Sequence, residues 1–300
     1  MTDQAGLRRS RLLRILREEY GQHRITGLQP LGEGMDAKVY SAHSPHLGNL
    51  AIKVPHARWM TSGNEPRLDT RALLRQELQL SPHLRANGLP VPEVFFMHED
   101  EGGVDFLVAR FVESDRSELP DTQFGHLIRA IHELPLLPVR LVADGTSAGM
   151  DEILAERIER RLKVLASITA LDIGVPDIAS ALSATPPADL DGSLLHMDLR
   201  PENILVRHGL PAAILDWSNA LAGDPALDLA RAAEYGSLTS AALAAYGDAE
   251  VFSMTPRTPR EVAYRLDTAV MLAHVFLNGA PDEGRARHYI HRTTILCHDL

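Results

Sequence analysis

The 300-residue chain reads as an α+β protein of two lobes: an antiparallel β-sheet lobe with one main helix, followed by a mostly α-helical lobe. Three observations predict this. Between residues 25 and 111 the apolar residues come in short β-type runs broken by Gly, Pro and Asn turns, with one helical stretch among them. Beyond residue 113 most apolar positions fall at helical spacing. A 45% hydrophobic and 23% charged composition is that of an ordinary globular chain, long enough to bury a sizeable core in each lobe. The expected lobes are 1–112 and 113–300, joined near 110–113. Sites in such proteins tend to lie between lobes.

An amphipathic helix over 6–20 opens the chain and stops at Gly21. Strands follow over 25–31, 37–43 and 50–54, the first two joined through Gly32-Glu33-Gly34. A polar stretch over 61–69 reads as a loop. The helix over 70–84 carries Leu73, Leu74, Glu77, Leu78 and Leu80, and Asn87-Gly88 stops it. Pro90 and Pro92 keep the next residues extended, leading into a hairpin of 94–98 and 104–111. The second lobe reads as helices over 122–134, 151–168, 178–182, 225–235, 239–246, 259–277 and 282–297. A Pro- and Gly-punctuated loop is expected over 135–150, and short strands over 204–206 and 213–215 flank a turn at His208-Gly209.

Composition narrows the function. A net charge of −10 argues against nucleic acid as a main partner, because phosphate backbones are held by surplus Lys and Arg. It is compatible with cationic substrates, although an acidic balance mostly keeps a protein in solution. The one cysteine, Cys297, excludes a disulfide within the chain. Apolar runs such as 269–277, with His274 inside, are too short to span a bilayer, so no membrane role is expected. The first 21 residues are arginine-rich and lack a signal-peptide core, so the expected location is the cytoplasm. The oligomeric state is not legible.

The chemistry concentrates in His196-Met197-Asp198-Leu199-Arg200-Pro201-Glu202-Asn203. The spacing His196-x-Asp198-x-x-x-x-Asn203 matches a kinase catalytic loop. An acceptor hydroxyl needs a carboxylate to orient it and take its proton, while a second group on the same loop reaches a metal ion. Asp216, in Ile214-Leu215-Asp216-Trp217, follows thirteen residues after Asn203, where such enzymes keep a Mg²⁺ ligand. A lone loop Asp more often caps a turn; four typed positions at fixed offsets are harder to obtain by chance. Only three of the 30 basic residues are Lys, and one of them, Lys53, sits on the third expected strand in Ala51-Ile52-Lys53. That is where a phosphate-holding lysine belongs, with Glu77 as its ion-pair partner and Glu65 as a rival. A snorkelling edge lysine and a solvated Glu77 are the plain alternatives. Gly32-Glu33-Gly34-Met35-Asp36-Ala37 fits a turn over nucleotide phosphates, or an ordinary hairpin turn. It is no dinucleotide fingerprint, since strand and not helix follows. A cluster of His196, Asp198, His208 and Asp216 could instead serve a metal-dependent hydrolase, which leaves Lys53 unused.

Together these residues resemble the aminoglycoside phosphotransferase and phosphotransferase-enzyme family, relatives of the protein kinases, over about residues 25–235. The most specific pieces are Leu195 to Asp198 with Asn203, Ile214 to Trp217, and Gly223-Asp224-Pro225-Ala226-Leu227-Asp228-Leu229-Ala230. Trp217-Ser218 after Asp216, and the early arrival of Asp224-Pro225, leave no room for a peptide-docking segment, so a protein kinase is excluded. The resemblance implies a protein-kinase-like two-lobe fold using ATP or GTP with Mg²⁺ to phosphorylate a small-molecule hydroxyl. It makes Asp198 the catalytic base, with His196 and Arg200 beside it, and puts Asn203 and Asp216 on Mg²⁺. Lys53 with Glu77, Gly32 and Gly34 would serve the triphosphate, and the backbone around Arg110 and Val112 the purine. Asp228 would brace the loop, and Asp224 is also a natural N-cap ahead of Pro225. The implied acceptor is an aminoglycoside or related antibiotic, with choline, homoserine or sugar alcohols, or a non-catalytic nucleotide binder, as alternatives. Asp267 and Glu234 could meet the ammonium groups of an antibiotic, or form a solvated face.

Overall fold

The computed structural model describes residues 4–137, 141–142, 149–171, 173–187, 192–247 and 251–300. Parts of the expected 135–150 loop, at 138–140 and 143–148, lie outside them. The chain divides into two compact units: Met1–Met60 with Arg67–Glu113, and Thr61–Pro66 with Ser114–Leu300.

In the first unit, β1 (Thr26–Glu33), β2 (Ala37–Ser44), β3 (Gly48–Pro55), β6 (Val94–His98) and β7 (Phe106–Arg110) form one antiparallel sheet in the order β1-β2-β3-β7-β6. Alternation along β3 sorts its two faces. Leu50, Ile52 and Val54 point to a core shared with Leu12, Ile15 and Leu16 of α1 (Gln4–Glu18), while Lys53 points the other way. On that other face lies α2 (Thr70–Ala86), started by the Asp69 carboxylate accepting from Arg71 N–H and ended at Asn87, ahead of Gly88 at φ +84°. Bidentate bonds from Arg71 to the buried Asp105, at 2.8 and 2.9 Å, tie α2 to the start of β7. Two local expectations need correction. β1 runs two residues past the expected end, so Gly32 pairs with Val39 inside the ladder and the turn is left to Gly34 and its neighbours. The supposed loop 61–69 ends in strand: β4 (Trp59–Met60) pairs with β5 (Leu68–Asp69), a two-residue ladder too short to show a period.

In the second unit the helices are α3 (Asp121–His132), α4 (Met150–Thr169), α5 (Ile178–Ser183), α6 (Pro225–Glu234), α7 (Ser240–Tyr246), α8 (Pro259–His274) and α9 (Glu283–His298). Two small ladders accompany them: β8 (Ser193–Leu195) with β11 (Leu221–Gly223), and β9 (Ile204–Arg207) with β10 (Leu210–Ile214). The β9–β10 turn holds His208 and Gly209 at φ +54° and +73°, the left-handed pair that two-residue hairpins use. Sequence reading missed β11, which has three small or apolar residues. It also carried α8 three residues too far, because the backbone widens into an i→i+5 turn at Val275–Gly279 before Pro281. α3 and α7 cross in backbone contact: a Cβ on Gly125 would stand 2.0 Å from the Ala242 carbonyl oxygen. The strap Thr61–Pro66 is held by this unit's arginines, with Arg160 donating to Asn64 O at 2.8 Å and Arg161 to Glu65 at 3.1 Å. No helix among the described residues is long and apolar enough to cross a membrane.

Candidate active site

β8 delivers the chain into the loop at His196, and the loop backbone is forced into an uncommon shape there. Met197 sits at φ +63° and is almost fully buried. A non-glycine residue in that region is strained and persists only when its surroundings hold it. The holder is Asp228 in the first turn of α6, whose carboxylate accepts from the backbone N–H of His196 and of Met197, both at 2.9 Å. The bracing role expected of Asp228 is thus a pair of bonds. Burial would raise the Asp228 pKa, but the His132 contact and its other partners hold it below the ordinary carboxylate value. His132 is in turn fixed by Tyr246 on α7, at 3.1 Å.

The His196 imidazole joins two motifs. Asp198 N–H donates to Nδ1 at 3.2 Å, which leaves the proton on Nε2 to reach the carbonyl of Leu215 at 3.0 Å. Burial pushes its pKa below the usual value, in keeping with a neutral ring. Leu215 also donates its N–H to the carbonyl of Asn203 at 2.8 Å. The residue before Asp216 is therefore tied to both ends of the loop, and Asp216 itself stands at φ +60°, accepting from Ser218 Oγ at 2.7 Å.

Asp198 is surrounded by donors. Its Oδ2 accepts from Asn203 Nδ2 at 2.7 Å and its Oδ1 from Tyr235 Oη at 2.8 Å, while Arg200 brings Nε to 3.2 Å of Oδ1. Asn203 Nδ2 also reaches the Asp198 carbonyl at 2.9 Å, which sets the amide's orientation. Its Oδ1 is then kept for another donor or a cation. An amide oxygen and a carboxylate are the hard ligands that Mg²⁺ takes, so Asn203 and Asp216 fit that ion in type. The four-residue hydrolase cluster does not assemble: both His196 nitrogens are occupied, and His208 is 79% exposed and turned to Asp115 at 3.3 Å. No group of three or more His, Cys, Asp or Glu among the described residues could hold a metal.

In the first unit Lys53 forms an ion pair with Glu77. Glu65 is occupied by Arg160 and Arg161 in the second unit. Gly34 sits in the β1–β2 turn, its N–H bonded to Ala37 O at 2.9 Å and its carbonyl 3.0 Å from His56 Nε2. Arg110 bonds to Glu93: its N–H donates to Glu93 O at 2.8 Å and its guanidinium to the Glu93 carboxylate at 2.6 and 3.0 Å. Val112 lies one residue beyond the bond from Phe111 N–H to Asn49 O, at 2.9 Å.

Asp267 and Glu234 neither meet solvent nor offer a free carboxylate, contrary to both sequence expectations. Asp267 is 0% exposed and receives Arg157, Arg161 and Arg231; Glu234 receives Arg265 and Arg292. The arginines that neutralise them lie 31 to 110 positions away in sequence, beyond the reach of local pattern. Asp224 caps α6 through Ala226 N–H at 3.0 Å and accepts from Tyr264 Oη at 2.9 Å. Sequence reading also missed Tyr235 and Arg231. Their signal was the spacing of Asp228, Arg231 and Tyr235, which puts all three on one helical stripe.

This fold, with an antiparallel five-stranded sheet in one unit and helices around a catalytic-type loop in the other, is protein-kinase-like. The phosphotransferase enzyme family matches residues 27–263, and the chain belongs to that family of enzymes, which transfer phosphate to a hydroxyl. Among solved structures it is similar to a putative fructosamine-3-kinase from Haemophilus somnus 129PT, at 17% identity and a TM-score of 0.68 with 96% of each chain covered. It is similar to aminoglycoside phosphotransferase APH(4)-Ia in ternary complex with AMP-PNP and hygromycin B, at 17% identity and 0.64, covering 96% and 97%. It is also similar to the GDP complex of aminoglycoside 2'-phosphotransferase-IIIa, at 14% identity and 0.65, covering 96% and 98%. At these identities the likeness is one of fold. No curated protein matches the chain in sequence.

Proposed function

We propose that this phosphotransferase moves the γ-phosphoryl group of ATP or GTP to a hydroxyl of a small molecule, with Asp198 as base. The observation that carries the reading is the Asp198 carboxylate itself, fixed by Asn203 and Tyr235 on a loop that Asp228 and His196 hold in a strained shape. Such effort to place one carboxylate is what hydroxyl activation requires. Asp198 orients the acceptor hydroxyl and takes its proton as the oxygen bonds to the γ-phosphorus. The bond to the β–γ bridging oxygen breaks, and the nucleoside diphosphate leaves. Arg200, beside Asp198, offers positive charge to the transferring group.

The first unit serves the nucleotide. Lys53, aimed by Glu77, holds the α- and β-phosphates, Gly34 shapes the turn over them with Gly32 in the ladder leading into it, and the backbone around Arg110 and Val112 meets the purine. Solved neighbours carrying AMP-PNP or GDP support a nucleotide of this kind. Asn203 and Asp216 would hold Mg²⁺, which when bound neutralises charge on the phosphates. Each of these positions is intact, which argues against a non-catalytic nucleotide binder. A nucleotide-dependent kinase of this type would work in the cytoplasm. An aminoglycoside acceptor, suggested by the family, finds little support in Asp267 and Glu234, whose charges are already met. A metabolite alcohol fits these residues better.

A screen of aminoglycosides, macrolides, peptide antibiotics and metabolite alcohols for acceptor-dependent ADP or GDP release tests the reading. One class should stimulate release in the native protein and not in Asp198→Ala. Equal release by both proteins would overturn it.

A further inference from the structure

Asp267 holds one negative charge among three guanidinium groups. Arg157 donates Nε and Nη2 to its two oxygens at 2.9 and 2.8 Å, Arg161 Nη1 reaches Oδ1 at 2.8 Å, and Arg231 Nη1 lies 3.4 Å from Oδ2. Its pKa, which burial would raise, is drawn down to about 2 by these arginines, so Asp267 supplies its full charge at neutral pH. The surroundings do not even the balance. Glu65 is shared by Arg160 and Arg161, and Glu234 by Arg265 and Arg292, so six arginines share three carboxylates, with the charge of Asp198 also acting on Arg231. A surplus of positive charge on buried guanidinium groups is costly, and a bound anion would relieve it.

Of the three arginines on Asp267, two leave a nitrogen unused among the described residues. Arg231 is 6% exposed; its Nε lies 3.4 Å from Tyr235 Oη and its Nη1 3.4 Å from Asp267, both long bonds, and none among the described residues uses Nη2. Arg157 spends Nε and Nη2 on Asp267, and none among the described residues uses Nη1. Arg161, the third on Asp267, uses all three of its nitrogens, on Asn64, Asp267 and Glu65. Elsewhere in the cluster Arg160 and Arg265 each keep an unpartnered Nε, and none among the described residues uses Nη1 of Arg292, but these three serve Glu65 and Glu234. Arg157 and Arg231 converge on one Asp267 oxygen. Arg231 is separated from Asp198 by the hydroxyl of Tyr235 alone, 2.8 Å from one and 3.4 Å from the other.

We infer that the acceptor carries an oxyanion, a carboxylate or a phosphate, and that Arg157 and Arg231 bind it while Asp198 takes the hydroxyl. This rests on the phosphotransfer reading for the place of the hydroxyl. Guanidinium forks match oxyanions in geometry as well as charge, and the same surplus repels an ammonium group. Arg231, buried and bonded only at 3.4 Å to Asp267 and Tyr235 in the free protein, gains a closer partner.

The experiment is thermal denaturation of the full chain with AMP-PNP and Mg²⁺ saturating, so that the nucleotide's phosphate positions are filled. It is titrated with inorganic phosphate, sodium acetate or ethylammonium chloride. A ligand that binds only the folded state raises Tm in a saturable way. We expect phosphate or acetate to do so, with apparent affinity at least tenfold weaker in Arg157→Gln, and ethylammonium to have no saturable effect. The anion with the higher affinity names the group. Should Arg157→Gln fail to fold, Arg157→Lys keeps the charge without the fork and should show the same loss in smaller degree. Absence of a saturable anion response, an unchanged response in both variants, or stabilisation by ethylammonium alone overturns the proposal. No Tm response to AMP-PNP itself would strike at the phosphotransfer reading instead.

Discussion

Tyr235 donates its hydroxyl proton to Oδ1 of Asp198 at 2.8 Å. Burial pushes the Tyr235 pKa up, so the phenol remains a donor at neutral pH. With Asp228 and Arg231 it forms one stripe on the α6 side of the loop, so a single helix fixes the loop backbone, aims the carboxylate and positions a guanidinium. Removing the hydroxyl in Tyr235→Phe leaves Asp198 less well oriented. A hydrogen bond to a charged group is worth about 1.5–3 kcal/mol, so kcat should fall by about ten- to a hundredfold. The KM for nucleotide should stay within about twofold. Steady-state kinetics on the two proteins checks this, and an increase in kcat would show that Tyr235 competes with the acceptor.

Lys53→Met should act on the other substrate. Lys53 and Glu77 pair within the first unit. Loss of a charge-assisted contact to phosphate should raise the KM for ATP by at least about tenfold while the fold survives, because the pair is partly exposed and contributes little stability. Nucleotide titration and a thermal melt give both readings.

Asp267→Asn removes the carboxylate that Arg157, Arg161 and Arg231 share. Breaking a buried ion pair from one side costs about 3–5 kcal/mol, which corresponds to on the order of 10 °C in Tm for a unit of this size. A drop of less than about 2 °C, on the same conversion, would contradict the buried, charge-balancing role.

Acid should unfold the protein in two stages. Burial holds His196 and His274 below the ordinary value of 6.5, so the unfolded chain binds protons first as pH falls. Their contribution is full above about pH 6.5 and is lost below it. Asp267, drawn from 3.8 to about 2, and Asp228, also lowered, contribute above pH 3.8 and lose that contribution as pH falls through their folded values. Thermal melts from about pH 8 down to pH 3 should therefore show Tm falling below about 6.5 and again below about 4. A Tm unchanged between about pH 8 and 5 would contradict the buried neutral histidines.

The kinase-like fold and most of the loop's supports were legible because their signals are local. Asp198, Asn203 and Asp216 sit at fixed offsets, and Leu50, Ile52 and Val54 alternate around Lys53 on β3. The arginine cluster was not legible. Arg157 and Asp267 are 110 residues apart, on α4 and α8, and each reads alone as a solvated helix position. The acidic net charge did not reveal it either, since composition sums the whole chain and cannot show that Asp267 and Glu234 are spent internally on arginines. β4 and β5 escaped for another reason: two-residue strands have no period to read.

If Asp198 activates the acceptor hydroxyl, removing its basicity alone should stop turnover. Asp198→Asn keeps the side chain's shape and removes that basicity, so nucleotide affinity and acceptor-dependent turnover are measured in it and in the native protein. Turnover should fall by about a thousandfold or more, with ATP affinity within about threefold of the native value. Turnover retained within about tenfold would mean that Asp198 is not the base.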